Sequence, residues 1–293
     1  MEKKVFALGF FDGVHLGHQA LLTACRHLAQ REGCQPGVVT FSAHPDGLVS
    51  GKAPALLNTR SDRDRLLLGY KIRNILELPF DRDVMRTPWE TFLEQLLEQD
   101  AAGFVCGDDF RFGAGGLGNA EKLADFCQKR DLPYAVVPQQ EVDGVRVSST
   151  YIRQLLEKGE MEQANRFLGH PHILSGQVVT GRGLGHTIGI PTANVPLPEG
   201  VAVPRLGVYA GSTVVDGKEH LTVTNIGSRP TVGGHQVRAE SWLLDFEGDL
   251  YGKSITLAFL KFLRPERKFD SLEELKAQIL LDAEKVKKLT MDN

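Results

Sequence analysis

The chain has 293 residues, 42% hydrophobic and 24% charged, with a formal net charge of −3. That length suffices for two domains with separate cores, and the acidic balance gives no electrostatic reason to expect nucleic acid as a partner. No apolar run reaches membrane-spanning length, MEKKVFALGF lacks a signal-peptide pattern, and the four cysteines (Cys25, Cys34, Cys106, Cys127) show no CxxC spacing, so a cytoplasmic protein with reduced thiols and no membrane partner is expected.

Residues 5–8 read as a buried strand and 19–30 as a helix with Leu21, Leu22, Ala24, Cys25 and Leu28 on one side. Between them runs Gly9-Phe10-Phe11-Asp12-Gly13-Val14-His15-Leu16-Gly17-His18. A strand-to-helix corner offers free N–H groups and the positive end of a helix dipole, which suits phosphate. His15 and His18, three apart, share one face of the first turn, where imidazoles can donate to phosphate oxygens as charge builds. The plainer reading is a tight turn with two histidines that cap a helix. Two histidines with Asp12 and Gly13 before them favour nucleotide handling.

Residues 37–41 form the next expected strand, ending at Ser42-Ala43-His44-Pro45, so His44 sits where ligands bind in open α/β sheets. A helix follows over 59–72, capped by Asn58 or Thr59, and its charge run Arg60-Ser61-Asp62-Arg63-Asp64-Arg65 reads as a solvated face. Strands over 75–78 and 104–106 flank a helix over 89–99 that Thr87-Pro88 opens. Gly113-Ala114-Gly115-Gly116-Leu117-Gly118 matches GxGxxG ahead of a helix over 119–129. It is not a dinucleotide fingerprint, because Gly107-Asp108-Asp109-Phe110-Arg111-Phe112 intervenes and the position is mid-domain. After a fifth strand over 134–137, one of Ser148, Ser149 and Thr150 caps a helix with Arg153 one turn in, a second anion site. Strands alternating with helices indicate a parallel, doubly wound sheet through about residue 155.

A short helix over 160–168 closes this region. From about residue 172 short strands (177–179, 207–210, 221–224, 241–244, 255–260) recur without helices, which indicates an antiparallel barrel or sandwich. A terminal amphipathic helix spans 271–287, capped by Asp270 or Ser271. Within this half, residues 181–194 are glycine-rich and end in Pro191-Thr192-Ala193-Asn194. Glycines Gly181, Gly183 and Gly185 let backbone amides wrap phosphates, and the oxygens of Thr192 and Asn194 can serve Mg²⁺ together with ATP. Residues 248–254 are not a P-loop, since three residues separate the glycines and no helix follows.

The corner resembles the HxGH signature of nucleotidyltransferases and, as GxFDGVHxGH, the bacterial bifunctional riboflavin kinase/FAD synthetase family. Residues 40–45, 107–113 and 147–153 resemble the family's TFxxHP, GxDFxFG and ISSTxIR elements. Residues 191–194, 224–231 and 240–246 resemble its kinase elements. The resemblance covers about residues 5–285. It implies a Rossmann-like nucleotidyltransferase domain with a parallel sheet over 1–168, then a six-stranded antiparallel β-barrel riboflavin kinase domain with a C-terminal helix over 169–293. The barrel would phosphorylate riboflavin to FMN, and the first domain would transfer AMP from ATP onto FMN, giving FAD and pyrophosphate, with Mg²⁺ in each step.

On that resemblance His15 and His18 serve adenylyl transfer. Gly9, Phe11, Asp12, Gly13, His44, Asp109, Phe110, Ser148, Thr150 and Arg153 bind nucleotide and flavin. Gly181, Gly183, Gly185, His186, Thr192 and Arg264 bind the kinase substrates, Thr192 and Asn194 hold metal, Glu240 is the general base and Asn194 is also catalytic. Taken alone, Glu240 reads as a surface strand residue. Three positions depart from the family pattern. Phe10 replaces a small or polar residue, His186 stands where arginine is usual, and Trp242 stands where histidine is common. Two alternatives stay open: a barrel that only binds flavin or regulates, and a non-enzymatic flavin sensor. The expected assembly is a monomer or weak homo-oligomer.

Overall fold

The computed structural model describes residues 2–49, 51–181, 184–231 and 234–289. It divides into two compact units, Met1–Ala55 with Arg63–Ser148, and Leu56–Asp62 with Ser149–Asn293.

The first unit is built on five parallel strands, β1 (Lys4–Leu8), β2 (Gln35–Phe41), β3 (Asn74–Leu78), β4 (Ala101–Gly107) and β5 (Tyr134–Val137), in the order β3-β2-β1-β4-β5. Helices α1 (Leu16–Arg31), α2 (Pro45–Val49), α3 (Arg60–Gly69, from Arg63 on), α4 (Arg82–Arg86), α5 (Trp89–Glu98) and α6 (Ala120–Gln128) connect them, and a hairpin of β6 (Glu141–Val142) and β7 (Val145–Arg146) ends the unit. Strand alternation explains the two covered faces. Val5 and Ala7 of β1 pack with Leu21, Leu22, Cys25 and Leu28 of α1. Phe6 and Leu8 pack on the other face with Phe92, Leu93 and Leu96 of α5 and Leu123 and Phe126 of α6. The strand order reverses between β1 and β4, so the corner after β1 lies at a topological switch point, where such sheets bind ligands.

The second unit is a barrel of β8 (His172–Gln177), β9 (Ala193–Pro196), β10 (Gly207–Val215), β11 (Lys218–Thr231), β12 (Gly234–Leu243) and β13 (Ser254–Arg264), all paired antiparallel in the order β8-β13-β10-β11-β12-β9. A bridge between Val179 and Asn194 draws the two edges together, which nearly closes the sheet. Helices α7 (Ser149–Lys158) and α8 (Met161–Leu168) pack with it, and Asn165 of α8 donates to the Phe259 carbonyl at 2.8 Å. The turn α9 is Leu184–Thr187, and α10 (Leu272–Leu289) lays Ala283 and Val286 on Val208, Ala210 and Val223. Ser271 caps α10, its Oγ accepting from the Glu274 N–H at 3.1 Å, while Glu274 Oε2 accepts from Asp270 N at 3.4 Å.

Two expectations need correction. The strand read at 177–179 lies earlier, at His172–Gln177. The charge run at 60–65 is a solvated face only in part: Arg60, Ser61 and Arg65 are exposed, whereas Asp62 is 0% and Arg63 6% exposed. Asp62 accepts from the Ser175 N–H in the barrel unit, at 3.2 Å, and Thr59 caps α3 by accepting from Asp62 N, at 3.1 Å. Arg63 is buried against Glu77 at 2.8 Å in the first unit.

Candidate active sites

The corner after β1 carries unusual backbone. Phe11 (φ 60°), Gly13 (φ 79°) and Val14 (φ 42°) all lie in the left-handed region, which is rare for a bulky or β-branched residue. Phe11 holds there because its ring is fully buried, and such backbone clusters at functional sites. His15 then takes an extended conformation as the N-cap of α1, its Nδ1 accepting from the His18 N–H at 3.4 Å. With Nδ1 an acceptor, the His15 proton sits on Nε2. A Cβ on Gly17 would lie 3.2 Å from His15 Cε1, so the glycine leaves room for the ring. The rings of His15 and His18 stack, and His18 also tilts against Phe11 at 5.2 Å. His18 Nδ1 is shut from solvent without a hydrogen-bond partner. Burial, and the neighbouring His15, hold the His18 pKa well below its ordinary 6.5. His15 thus caps the helix, while His18, inside its first turn, keeps a buried nitrogen without a partner.

His44 follows β2, its ring edge-on to Phe10 at 4.8 Å and its Nδ1 accepting from Asp46 N at 3.2 Å. The Phe10 carbonyl accepts from Thr40 Oγ1 at 3.0 Å, and Arg63 donates to that same hydroxyl oxygen at 3.2 Å. The Phe10 ring lies under the Arg63 guanidinium at 5.8 Å. Arg63 and Thr40 were invisible as site supports in the sequence; only a buried arginine at a strand's carboxyl end would have hinted at them.

Asp109 is ion-paired with Arg146 of β7, and Phe110 stacks on Phe112 at 5.7 Å. The glycine-rich loop beyond is pinned: Ala114 N donates to the Thr87 carbonyl at 2.7 Å, and a Cβ on Gly113 would meet the Trp89 backbone at 2.5 Å. Ser148 ends the first unit, while Thr150 and Arg153 lie in the first turns of α7 in the second, with Ser148 at the cap position.

In the barrel, one cavity of about 410 Å³ gathers Gly185, Thr192, Asn194, Glu240, Trp242 and Arg264. Register explains why: Glu240 of β12 stands opposite Asn225 of β11 and Asn194 of β9. Glu240 is half-buried and lines this cavity. Apolar walls come from Ile188, Val208, Val223, Leu275 and Ile279. Asn194 Nδ2 donates to the Thr192 carbonyl at 3.3 Å, which turns Oδ1 away from it. A Cβ on Gly181 would sit 2.5 Å from Asn194 Nδ2, and one on Gly185 would sit 2.3 Å from the Ile190 carbonyl. Gly183 lies outside the described residues, and for His186 only the backbone, in α9, is described. Two further cavity residues escaped the sequence reading: Glu266, which accepts from Asn225 Nδ2 at 3.0 Å, and Arg267.

The first unit thus carries an HxGH corner at the switch point of a parallel sheet, and the second a barrel in which Glu240, Thr192 and Asn194 line one cavity. The FAD synthetase family model matches residues 1–151 and the riboflavin kinase model residues 168–290. A bifunctional riboflavin kinase/FMN adenylyltransferase from Escherichia coli K12 is 40% identical, over 96% of this chain and 91% of its own. One from Listeria monocytogenes is 35% identical, over 95% and 90%. The chain belongs to the bifunctional riboflavin kinase/FMN adenylyltransferase family. A solved structure named as a macrolide-efflux protein, from Streptococcus pneumoniae, superposes with TM-score 0.88 and 29% identity, over 98% of this chain and 94% of its own. That name is at odds with the family assignment, which both family models and the curated relatives support. Among the described residues no helix is long and apolar enough to cross a membrane.

Proposed function

We propose how the two activities of this family divide over the chain. It is a transferase that phosphorylates riboflavin with ATP and adenylylates FMN with ATP to FAD and pyrophosphate. We assign kinase chemistry to residues 169–293 and adenylyl transfer to 1–168, with Ser148, Thr150 and Arg153 serving ATP phosphates.

The single observation that carries the kinase assignment is the meeting of Glu240, Thr192 and Asn194 in one apolar-walled cavity. Glu240 takes the proton of the ribityl 5′-hydroxyl as its oxygen attacks the γ-phosphorus; the bond to the β-bridging oxygen breaks and ADP leaves. Arg264 binds substrate in the same cavity. Gly181, Gly183, Gly185 and His186 cradle ATP phosphates through backbone N–H groups and an imidazole.

Mg²⁺ would supply charge neutralisation between phosphates. The donor set fits it: Thr192 and Asn194 bring neutral oxygens to one cavity, and Mg²⁺ bound through substrate phosphates needs only a ligand or two from the protein. Thr192 and Asn194 would provide those.

In adenylyl transfer the FMN phosphate is already ionised, so its oxygen attacks the α-phosphorus without a general base and pyrophosphate leaves. His15 Nε2–H and His18 donate to the phosphate oxygens as charge develops. Gly9, Phe11, Asp12 and Gly13 shape the corner, and His44, Asp109 and Phe110 complete the nucleotide and flavin contacts. We further propose a cytoplasmic monomer or weak homo-oligomer that binds neither nucleic acid nor membrane. Cys25, Cys106 and Cys127, buried and outside any disulfide, suit a reducing compartment.

Incubation with riboflavin, ATP and Mg²⁺, with chromatography of the flavins, tests the reading. FMN and FAD should both form; the absence of both refutes it.

A further inference from the structure

The cavity's two described cations are held from one helix. Arg264 Nε donates to Asp282 Oδ2 at 2.8 Å, and Arg267 Nη2 donates to Gln278 Oε1 at 2.8 Å. The two anchors are joined, because Gln278 Nε2 donates to Asp282 Oδ1 at 2.8 Å, one turn apart on α10. Both arginines line the cavity that holds Glu240, whereas neither anchor does. On the reading that this barrel phosphorylates riboflavin, we propose that Asp282 and Gln278 are positioning residues for the kinase, fixing Arg264 and Arg267 where phosphate oxygens enter.

Burial argues for this role over docking alone. The Asp282 side chain is 0% exposed and that of Arg264 15%, so the pair has left most of its water. A buried ion pair is a weak source of stability, and apolar residues of similar size serve as well or better. The helix already has apolar anchors in Ala283 and Val286. What an apolar residue could not do is orient a guanidinium. Arg264 spends Nε on Asp282 and Nη1 on the Pro265 carbonyl at 3.3 Å, while Nη2 has no acceptor among the described residues. A guanidinium held by two of its nitrogens with the third available stabilises charge in the transition state without reorganising. Phosphoryl transfer depends almost wholly on such positioning. Lys285 Nζ also reaches Asp282, at 3.9 Å, but from solvent.

The test measures kcat and KM for riboflavin phosphorylation in full-length Asp282→Asn, Arg264→Ala, their double variant and Gln278→Ala, with FAD formation from supplied FMN and thermal melting alongside. Asp282→Asn should lower kinase kcat/KM about tenfold or more, and less than about twofold further once Arg264 is alanine, because the carboxylate acts only through that side chain. Gln278→Ala should lose about threefold by releasing Arg267. FAD formation should stay at the wild-type rate in all four. Wild-type kcat/KM in folded Asp282→Asn overturns the proposal, as does an undiminished loss in the Arg264→Ala background, which would mark a general packing defect. If Asp282→Asn does not fold, Gln278→Ala decides, and full kcat/KM there overturns it. Wild-type enzyme that makes no FMN would instead refute the kinase reading itself.

Discussion

The imidazole rings of His15 and His18 stack with centroids 3.7 Å apart and planes 14° from parallel. Two cationic rings could not lie so close, so burial and proximity keep the pair from charging together. The stack therefore holds a neutral donor ready at the helix start, and phosphate brings the negative charge that strengthens it.

His18→Ala should cut FAD formation from FMN by about 3 kcal/mol of transition-state stabilisation or more, while FMN formation from riboflavin stays near normal. Gly17→Ala should act in the same direction more weakly, since its Cβ would press His15 Cε1 at 3.2 Å. Separate assays of the two half-reactions check this. Equal loss of both activities in a folded variant contradicts it.

Replacing Glu240 by glutamine keeps its shape but removes the proton acceptor. Riboflavin phosphorylation should fall about a hundredfold or more, with riboflavin and ATP binding little changed and FAD formation from FMN intact. Kinase turnover near wild type would remove Glu240 from the mechanism.

Gly181→Ala tests the other side of the cavity. Its Cβ would overlap the Asn194 side chain at 2.5 Å, so the amide must move or the loop must shift. Kinase kcat/KM should drop about tenfold or more while stability falls by about 1–3 kcal/mol, the usual scale of overpacking. A kinase rate and Mg²⁺ dependence both unchanged in the folded variant contradict this prediction.

His172 sets an acid limit on the barrel. It is 1% exposed, both ring nitrogens lack hydrogen-bond partners, and burial holds its pKa down at about 3. The unfolded chain takes up that proton near 6.5, so stability is fully present above that pH and is lost as pH falls from about 6.5 towards about 3. Urea unfolding at several pH values should show a shallower acid slope in His172→Phe than in wild type. Identical slopes would mean the ring is protonated, or paired, in the folded state.

Much of the fold was legible because its signals are local. Val5 to Leu8 alternates between two buried faces, and the helices after it repeat every three or four residues, so a doubly wound sheet followed from periodicity alone. Motif spacing likewise marked His15 and His18, side-chain chemistry marked Thr192 and Asn194, and only the family resemblance marked Glu240. Tertiary structure decided what those signals could not carry. Asp62 and Arg63 sit in a charge run that looks solvated, yet each is buried by a partner far along the chain, Ser175 and Glu77. Glu240 alternates like any strand residue, and only the register against Asn225 and Asn194 puts it in a cavity. Asp282 carries no sequence signal at all, because its role depends on where Arg264, at the end of a strand, meets a helix that starts several residues later. Spacing along the chain fixes neighbours within one helix or strand; which elements face each other is settled by the packing of their apolar sides, and the polar partners come with it.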